Sequence, residues 1–343
     1  MCADLLWVLT TVTVKDSVEP RHTSQECRKC FEGGMRKPHE SDSASQRFAL
    51  ALLTGGTASA TAKTVVAPLE RARLVLQTQH LMGSGHGEYK GLGDTLARIL
   101  REQGFASFWR GNLVNLLRIV PTYGLRFSFF DYFRNLASVG VDSGQPLSLP
   151  RQMLSGAMSG SATVLVTYPL DLTRTHMSTD LHSKHGRSVL QAFQDVLSKD
   201  GVRGLYRGIG VSVVEIAPYV AISLGGYEYG KQHIPAQYDG AGAKLVLAWA
   251  TGLAGSLFCF PMDTVKRRLM LGGSRGLSPS PQVPGAIGYA LSMYRTGGIR
   301  IFYRGCAINA FKSAPAAALT FVLNDTLKNF FQRVRTSRQS WLS

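Results

Sequence analysis

Pro68-Leu69-Glu70-Arg71-Ala72-Arg73, Pro169-Leu170-Asp171-Leu172-Thr173-Arg174 and Pro261-Met262-Asp263-Thr264-Val265-Lys266 spell one pattern three times: a proline, a carboxylate two places on, and a base three places after that. The copies recur about every hundred residues, so the chain is one unit written three times. Each copy closes an apolar stretch, where proline kinks a helix and a lone charge is costly. Three kinked helices that each carry one acid and one base can close a ring of ion pairs, which is a gate.

Composition points to a membrane protein of an unusual kind. Hydrophobic residues make up 45% of the 343 and charged residues only 17%, yet no window holds the roughly 20 uninterrupted apolar residues of a simple span. Polar, glycine-rich helices persist in a bilayer when one face meets lipid and the other lines a wet cavity. A formal charge of +16 would suit nucleic acid, but the bases form no single tract. They gather after each proline motif: Arg98, Arg101 and Arg110; Lys184, Arg187, Lys199, Arg203 and Arg207; Arg275, Arg295, Arg300 and Arg304. Basic connections collected on one side of a membrane are the positive-inside pattern, and nucleic acid is excluded as a partner.

The thirds share one order of events. An apolar segment runs through the proline motif (46–77, 151–179 and 243–271), and a polar, basic stretch with a short amphipathic helix follows, as at 94–102 and 189–199. Next comes a glycine and, five places on, an aromatic-Arg-Gly triplet: Gly104 with Trp109-Arg110-Gly111, Gly201 with Tyr206-Arg207-Gly208, Gly298 with Tyr303-Arg304-Gly305. A second apolar segment leaves from that triplet (112–136, 209–232 and 306–330). Two segments per third make six spans, which returns both termini to one side. The units are therefore 46–138, 150–233 and 243–331, with a tail at 332–343 and a poorly ordered extension at 1–45. Gly, Pro and polar residues between the units mark the joins.

The second segments end in charge motifs of their own: Asp131 with Arg134, Glu228 with Lys231, and Asp325 with Lys328. These form a second ring at the opposite membrane face. Two rings cannot both stay closed around a moving solute, so one opens while the other holds. Static pairing of buried charges would gain little stability, which favours gating.

Catalytic and metal chemistry find no support. Cys2, Cys27, Cys30, Cys259 and Cys306 make no disulfide framework, and Cys27-Arg28-Lys29-Cys30 is half of a zinc spacing with no second half nearby. His80, His86, His176, His182, His185 and His233 lie in loops or at segment ends without a repeating interval. No nucleophile–base pair, metal site or cofactor is expected, and the chain is not read as an enzyme.

Seven residues beyond each aromatic-Arg-Gly glycine lie Arg118, Glu215 and Lys312, each followed three residues later by Pro121, Pro218 or Pro315. Seven helical residues rise about 10 Å, which puts all three near mid-membrane on threefold-related faces. Lys63 and Arg126 are further intramembrane cations. An ionisable group at that depth is a site hypothesis by default. Four cations against one acid favour a polyanion, and the arginine fork suits phosphate. Glu215 either pairs internally, with Arg118 or Lys312, or meets an amino group of the substrate.

The tripled proline motif with its aromatic-Arg-Gly partner resembles the mitochondrial carrier family across 46–331. The resemblance implies an all-α membrane protein with six tilted transmembrane helices in three pseudo-threefold repeats, short amphipathic helices on the matrix side, and one central site. It implies a multi-pass inner-membrane monomer working by alternating access, with both termini toward the intermembrane space. The proline-motif ring would be the matrix gate, pairing Glu70–Arg174, Asp171–Lys266 and Asp263–Arg73, with Gln77 as a brace. The second ring would be the cytoplasmic gate, pairing Asp131–Lys231, Glu228–Lys328 and Asp325–Arg134, with Asn324 departing from the usual aromatic.

The first repeat is similar to ADP/ATP carriers, whose phosphate-binding Lys and Arg match Lys63 and Arg118. The Pro218-Tyr219 and Lys312-Ser313-Ala314-Pro315 stretches look more like ATP-Mg/phosphate and coenzyme A carriers. Lys266-Arg267-Arg268-Leu269-Met270-Leu271 departs from the ADP/ATP signature, and Glu215-Ile216 replaces a Gly-apolar pair. The expected substrate is an adenine nucleotide or related phosphorylated metabolite, met by Lys63, Arg118, Arg126 and Lys312, with Ile216 and Tyr219 against its apolar part. The rivals are an amino-acid carrier and a carrier-like protein that no longer transports. Helix starts at Asn112, Ile209 and Cys306, with Arg110-Gly111, Arg207-Gly208 and Arg304-Gly305 beside them, are anion sites suited to cardiolipin head groups.

Overall fold

The structure, a computed structural model, describes residues 44–79, 89–139, 147–180, 188–235, 240–272 and 285–340. Cys2, Cys27, Cys30, His80, His86, His182 and His185 lie outside the described residues. No strand occurs among those that are described.

The first repeat supplies α1 (Ala44–Thr78), α2 (Leu92–Gln103), a 3-10 turn (Phe105–Trp109) and α3 (Asn112–Ala137). The second supplies α4 (Leu149–Ser178), α5 (Val189–Leu205), α6 (Ile209–Val220) and α7 (Gly226–His233), the last two joined by a π-helical turn, Ala221–Gly225. The third supplies α8 (Ala241–Phe258), α9 (Phe260–Gly272), α10 (Gly285–Gly297), a 3-10 turn (Ile299–Tyr303) and α11 (Cys306–Ser340). Helix α11 runs past residue 331, where the sequence ends the third unit. Pro68 and Pro169 sit inside continuous helices, whereas α8 and α9 are bent by 57°. There Pro261 has no N–H to offer the Leu257 carbonyl, and its ring crowds that group.

Contacts between neighbours run α1–α3–α4–α6–α8–α11 and back to α1, which closes a six-helix cylinder. Its outside exposes apolar side chains such as Val65, Leu117, Leu165, Val214, Val246 and Phe311, as a lipid-facing surface requires. By length and apolarity alone, Ile209–His233 qualifies as a span among the described residues, and the bent pair Gly242–Phe258 with Phe260–Gly272 as another. The remaining long helices fall short: α4, uncharged from 152 to 170, is diluted by Gly, Ser and Thr, and α3 carries Arg118 and Arg126 within its length. Helices α1, α4 and α9 also meet one another, so the cylinder is shut where the proline motifs lie.

Three devices recur at the joints between repeats. With the six spans counted along the chain (α1, α3, α4, α6–α7, α8–α9 and α11), the first is a left-handed glycine cap at the start of each even-numbered span: Gly111, Gly208 and Gly305 have φ of 80°, 84° and 84°. At Gly208 a Cβ would lie 3.1 Å from Tyr168 Oη and 3.3 Å from Leu269 Cβ, so both conformation and space demand glycine. The second is the aromatic before Arg-Gly. Tyr206 stacks on Tyr168 and Tyr303 on Phe260, the residues preceding Pro169 and Pro261. In the first repeat Ala67 offers no ring, and Trp109 Nε1 donates to Thr64 O at 2.9 Å instead.

The third device caps the carbonyl nine places after each proline. Arg268 Nε donates to Gln77 O at 2.9 Å, His176 Nε2 to Met270 O at 3.0 Å, and Arg71 Nε to Ser178 O at 3.1 Å. Arg71 is 2% exposed and also donates to Ser107 O, Gln103 Oε1 and Asp180 O. The surface helices obey local capping rules. Ser188 and Gln191 form a reciprocal capping box on α5. In α2, the Lys90 N–H and then Arg98 hold the Asp94 carboxyl below the usual range.

Candidate functional site

A single cavity on the cylinder axis brings together Lys63, Arg118, Arg126, Glu215, Ile216, Tyr219 and Lys312 with all six charged members of the first ring. The proline motifs deliver Glu70, Arg73, Asp171, Arg174, Asp263 and Lys266 from α1, α4 and α9. The even-numbered spans deliver Arg118, Glu215 and Lys312 two turns beyond their glycine caps. Lys63 Nζ stands 5.6 Å from the Tyr123 ring centroid. Ile216 packs on Gly160, where a Cβ would approach its Cγ2 to 3.0 Å, and the Tyr219 ring packs against Gly255. Both keep an edge on the cavity.

Ion pairs shut the floor. Arg174 donates to Glu70, and Lys312 Nζ reaches the same carboxylate at 3.0 Å. Arg73 donates to Asp263, and Gln77 Nε2 supports that carboxylate at 3.1 Å while lying 3.4 Å from Thr264 Oγ1. The third pair implied by the family resemblance, Asp171–Lys266, is absent from this arrangement. Arg118 Nη1 takes Asp171 at 2.6 Å, and Lys266 Nζ takes Glu215 at 2.9 Å. Glu215 is therefore held by Lys266 and by neither Arg118 nor Lys312. The reason is reach: Arg118 and Glu215 hang into the cavity directly above the gap between α4 and α9, and each captures the nearer gate charge.

Arg267 was not singled out in the sequence. Its Nε stands 3.5 Å from Asp263, and its Nη1 donates to Thr175 Oγ1 at 2.9 Å. The available signal was the run of three bases Lys266-Arg267-Arg268, with Arg267 standing where the other repeats carry Leu74 and Thr175. A polar ring one turn below Arg118, Glu215 and Lys312 also escaped notice: Asn115, Ser212 and Asn309 are all buried and line the cavity. Asn309 Nδ2 donates to Ser256 at 2.8 Å, while Asn115 Oδ1 and Thr122 Oγ1 lack hydrogen-bond partners among the described residues.

Of the second ring, Asp131, Arg134, Glu228 and Lys231 lie at the far ends of their spans and do not line the cavity. Asp131 and Arg134 are half-buried near the end of α3; Glu228 is half-buried and Lys231 exposed on α7. The side chains of Asn324, Asp325 and Lys328 lie outside the described residues. Arg110, Arg207 and Arg304 are half-buried beside the caps of α3, α6 and α11. Arg110 Nη1 donates to Gln103 at 3.2 Å, and Asn112 Nδ2 to Thr64 Oγ1 at 3.2 Å.

Among the described residues no cluster of side chains could hold a metal ion. What the arrangement can do is hold a polyanion: eight cationic side chains line the cavity against four carboxylates.

Comparison with known proteins agrees with this geometry. The family profile described as mitochondrial carrier protein matches three times, at residues 44–139, 145–238 and 237–335. The chain is 36% identical over 293 residues to ADP/ATP translocase 4 of Macaca fascicularis, covering 83% of this chain and 92% of that protein. It is 35% identical to ADP/ATP translocase 3 of Homo sapiens, over 82% and 97% of the two chains. Against ADP/ATP translocase 2 of Bos taurus the identity is 34%, over 84% and 99%. With three matched repeats and the threefold cavity they enclose, the chain belongs to the mitochondrial carrier family, whose members are six-helix solute transporters of the inner membrane.

Proposed function

We propose that this carrier exchanges adenine nucleotides, ADP against ATP, by alternating access. The observation that carries the reading is the charge of the cavity, where eight cations face four acids. An excess of four positive charges suits a polyphosphate and burdens a zwitterionic amino acid. Arg118 supplies a planar fork for phosphate oxygens, Lys63, Arg126 and Lys312 add charge, and Ile216 and Tyr219 offer an apolar shelf for the base. The relatives named ADP/ATP translocases support the same substrate class.

The pairing of site and gate suggests how binding leads to opening. Arriving phosphates compete with Asp171 for Arg118 and with Glu70 for Lys312. Each cation drawn onto substrate weakens one corner of the floor, so the solute loosens the gate it must pass. The ring of Asp131, Arg134, Glu228, Lys231, Asp325 and Lys328 then closes behind it. In this reading the protein works as a monomer with both termini toward the intermembrane space, and the caps at Gly111, Gly208 and Gly305, with Arg110, Arg207 and Arg304, hold cardiolipin head groups at the matrix leaflet.

Purified carrier in liposomes loaded with ADP, ATP, coenzyme A or amino acids tests the substrate. ADP–ATP exchange is expected, and Arg118→Ala is expected to abolish it because phosphate loses its bidentate partner. Uptake of an amino acid without nucleotide exchange would overturn the reading.

A further inference from the structure

Glu215 sits two turns inside α6 from its glycine cap, is 3% exposed, and lies against Lys266 at 2.9 Å. Lys266 is itself 3.6 Å from Asp263 and belongs to the gate end of α9. The Glu215–Lys266 pair therefore ties a substrate-level carboxylate to a moving part. Facing Glu215 are Asp263, Lys266 and Arg267 from α9, Tyr168 from α4, and the Cys259 thiol, which donates to the Glu215 carbonyl at 3.7 Å. Asp171 of α4 and Arg118 and Arg126 of α3 share the cavity with it. Helix α8 and the π-helical turn add no ionisable group to the wall.

We propose that nucleotide binding protonates Glu215, so that the loaded carrier holds one proton more than the empty one. The inference rests on the nucleotide reading above. When phosphate draws Arg118 away, Asp171 is left to the attraction of Arg267, Lys266 and Arg174, which line the same cavity. Lys266 is then claimed by Asp171 and Asp263, and it leaves with α9 when the floor opens. Glu215 remains behind, buried, beside an added polyanion and without its cation. A carboxylate in that setting neutralises by taking a proton. The proton comes from water in the open cavity, binds a Glu215 carboxylate oxygen, and returns to water when substrate leaves and Lys266 re-pairs. In one-for-one exchange the proton crosses with nucleotide in both directions. The loaded carrier gains one positive charge while no proton gradient is dissipated.

Titration calorimetry of purified carrier with ADP, in buffers of different ionisation enthalpy, counts the proton. Above about pH 7.5 the second phosphate ionisation, near 6, is complete, so uptake reports the protein. Wild type is expected to take up about one proton per ADP bound, and Glu215→Gln about one fewer. Lys266→Gln serves as a second variant. With its cation gone, Glu215 is neutral before ADP arrives, and uptake is lost there too; this variant decides the matter if Glu215→Gln does not fold. Binding without proton uptake in wild type, or with unchanged uptake in the folded variants, would overturn the inference and leave the nucleotide reading standing. No binding of ADP or ATP to wild type would overturn both.

Discussion

Asp171 shows how little a residue's place in a motif says about its partner. The threefold pattern pairs it with Lys266, yet Arg118 reaches it from above and holds it at 2.6 Å. Glu70 keeps its gate partner Arg174 and also binds Lys312 at 3.0 Å. Charges in such a network are worth most when one partner is removed, since an unpaired buried charge costs about 3–5 kcal/mol. Arg174→Ala is therefore expected to lower both melting temperature and exchange, with Lys312 limiting the damage at Glu70. The double swap Glu70→Arg with Arg174→Glu should recover part of the lost exchange. Absence of any recovery in a folded double variant would show that the pair does not act as a unit.

Among the elements, the odd-numbered spans end in a shared joint. The carbonyl nine residues past each proline would be an orphan helix-end acceptor, and a side chain from the neighbouring repeat caps it. Arg71 does most, bridging carbonyls of Ser107, Ser178 and Asp180, so it pins α2's end and the 3-10 turn to the second repeat. Leaving a buried acceptor unsatisfied costs about 1–3 kcal/mol. Arg71→Leu is expected to lower the unfolding temperature well below that of Arg268→Leu, where the hydrogen bond to Gln77 O is lost. Arg71→Lys should rescue little, because an ammonium on a flexible stem cannot span the fork. Equal shifts for Arg71→Leu and Arg268→Leu in a thermal scan would refute the bridging role. These joints were only partly legible in the sequence: His176 and Arg268 both stand seven places after their prolines, but the first repeat has Val75 there and supplies Arg71, three places after Pro68, instead.

At the scale of the whole molecule, the cylinder needs its outer joints held while its two ends open in turn. Three basic, cap-bearing notches on the outside of one end suit a lipid with two phosphates, which would staple neighbouring repeats without crossing the axis. Added cardiolipin is expected to raise the unfolding temperature of the detergent-solubilised carrier. Arg110→Ala, Arg207→Ala and Arg304→Ala should each reduce that rise. A thermal transition indifferent to cardiolipin would remove the lipid from the proposal. The repeat, the six spans and the cavity residues were legible because each depends on spacing along one helix, and helical geometry converts spacing into face and depth.

The sequence by itself determined the threefold plan: where the helices start, where the three proline motifs fall, and which cations line the cavity, although of the three expected kinks only the one at Pro261 is a break between helices. Those are properties of single helices, set by proline, glycine and a 3.6-residue turn. Tertiary structure alone decided which charges meet. Lys266 pairs with Glu215 and not Asp171, Arg267 joins the floor, and Arg71 crosses to another repeat, because these choices depend on helix rotation and tilt across a cavity. A shift of an ångström or two between helices changes which of several opposite charges is nearest, and no pattern along the chain encodes that distance.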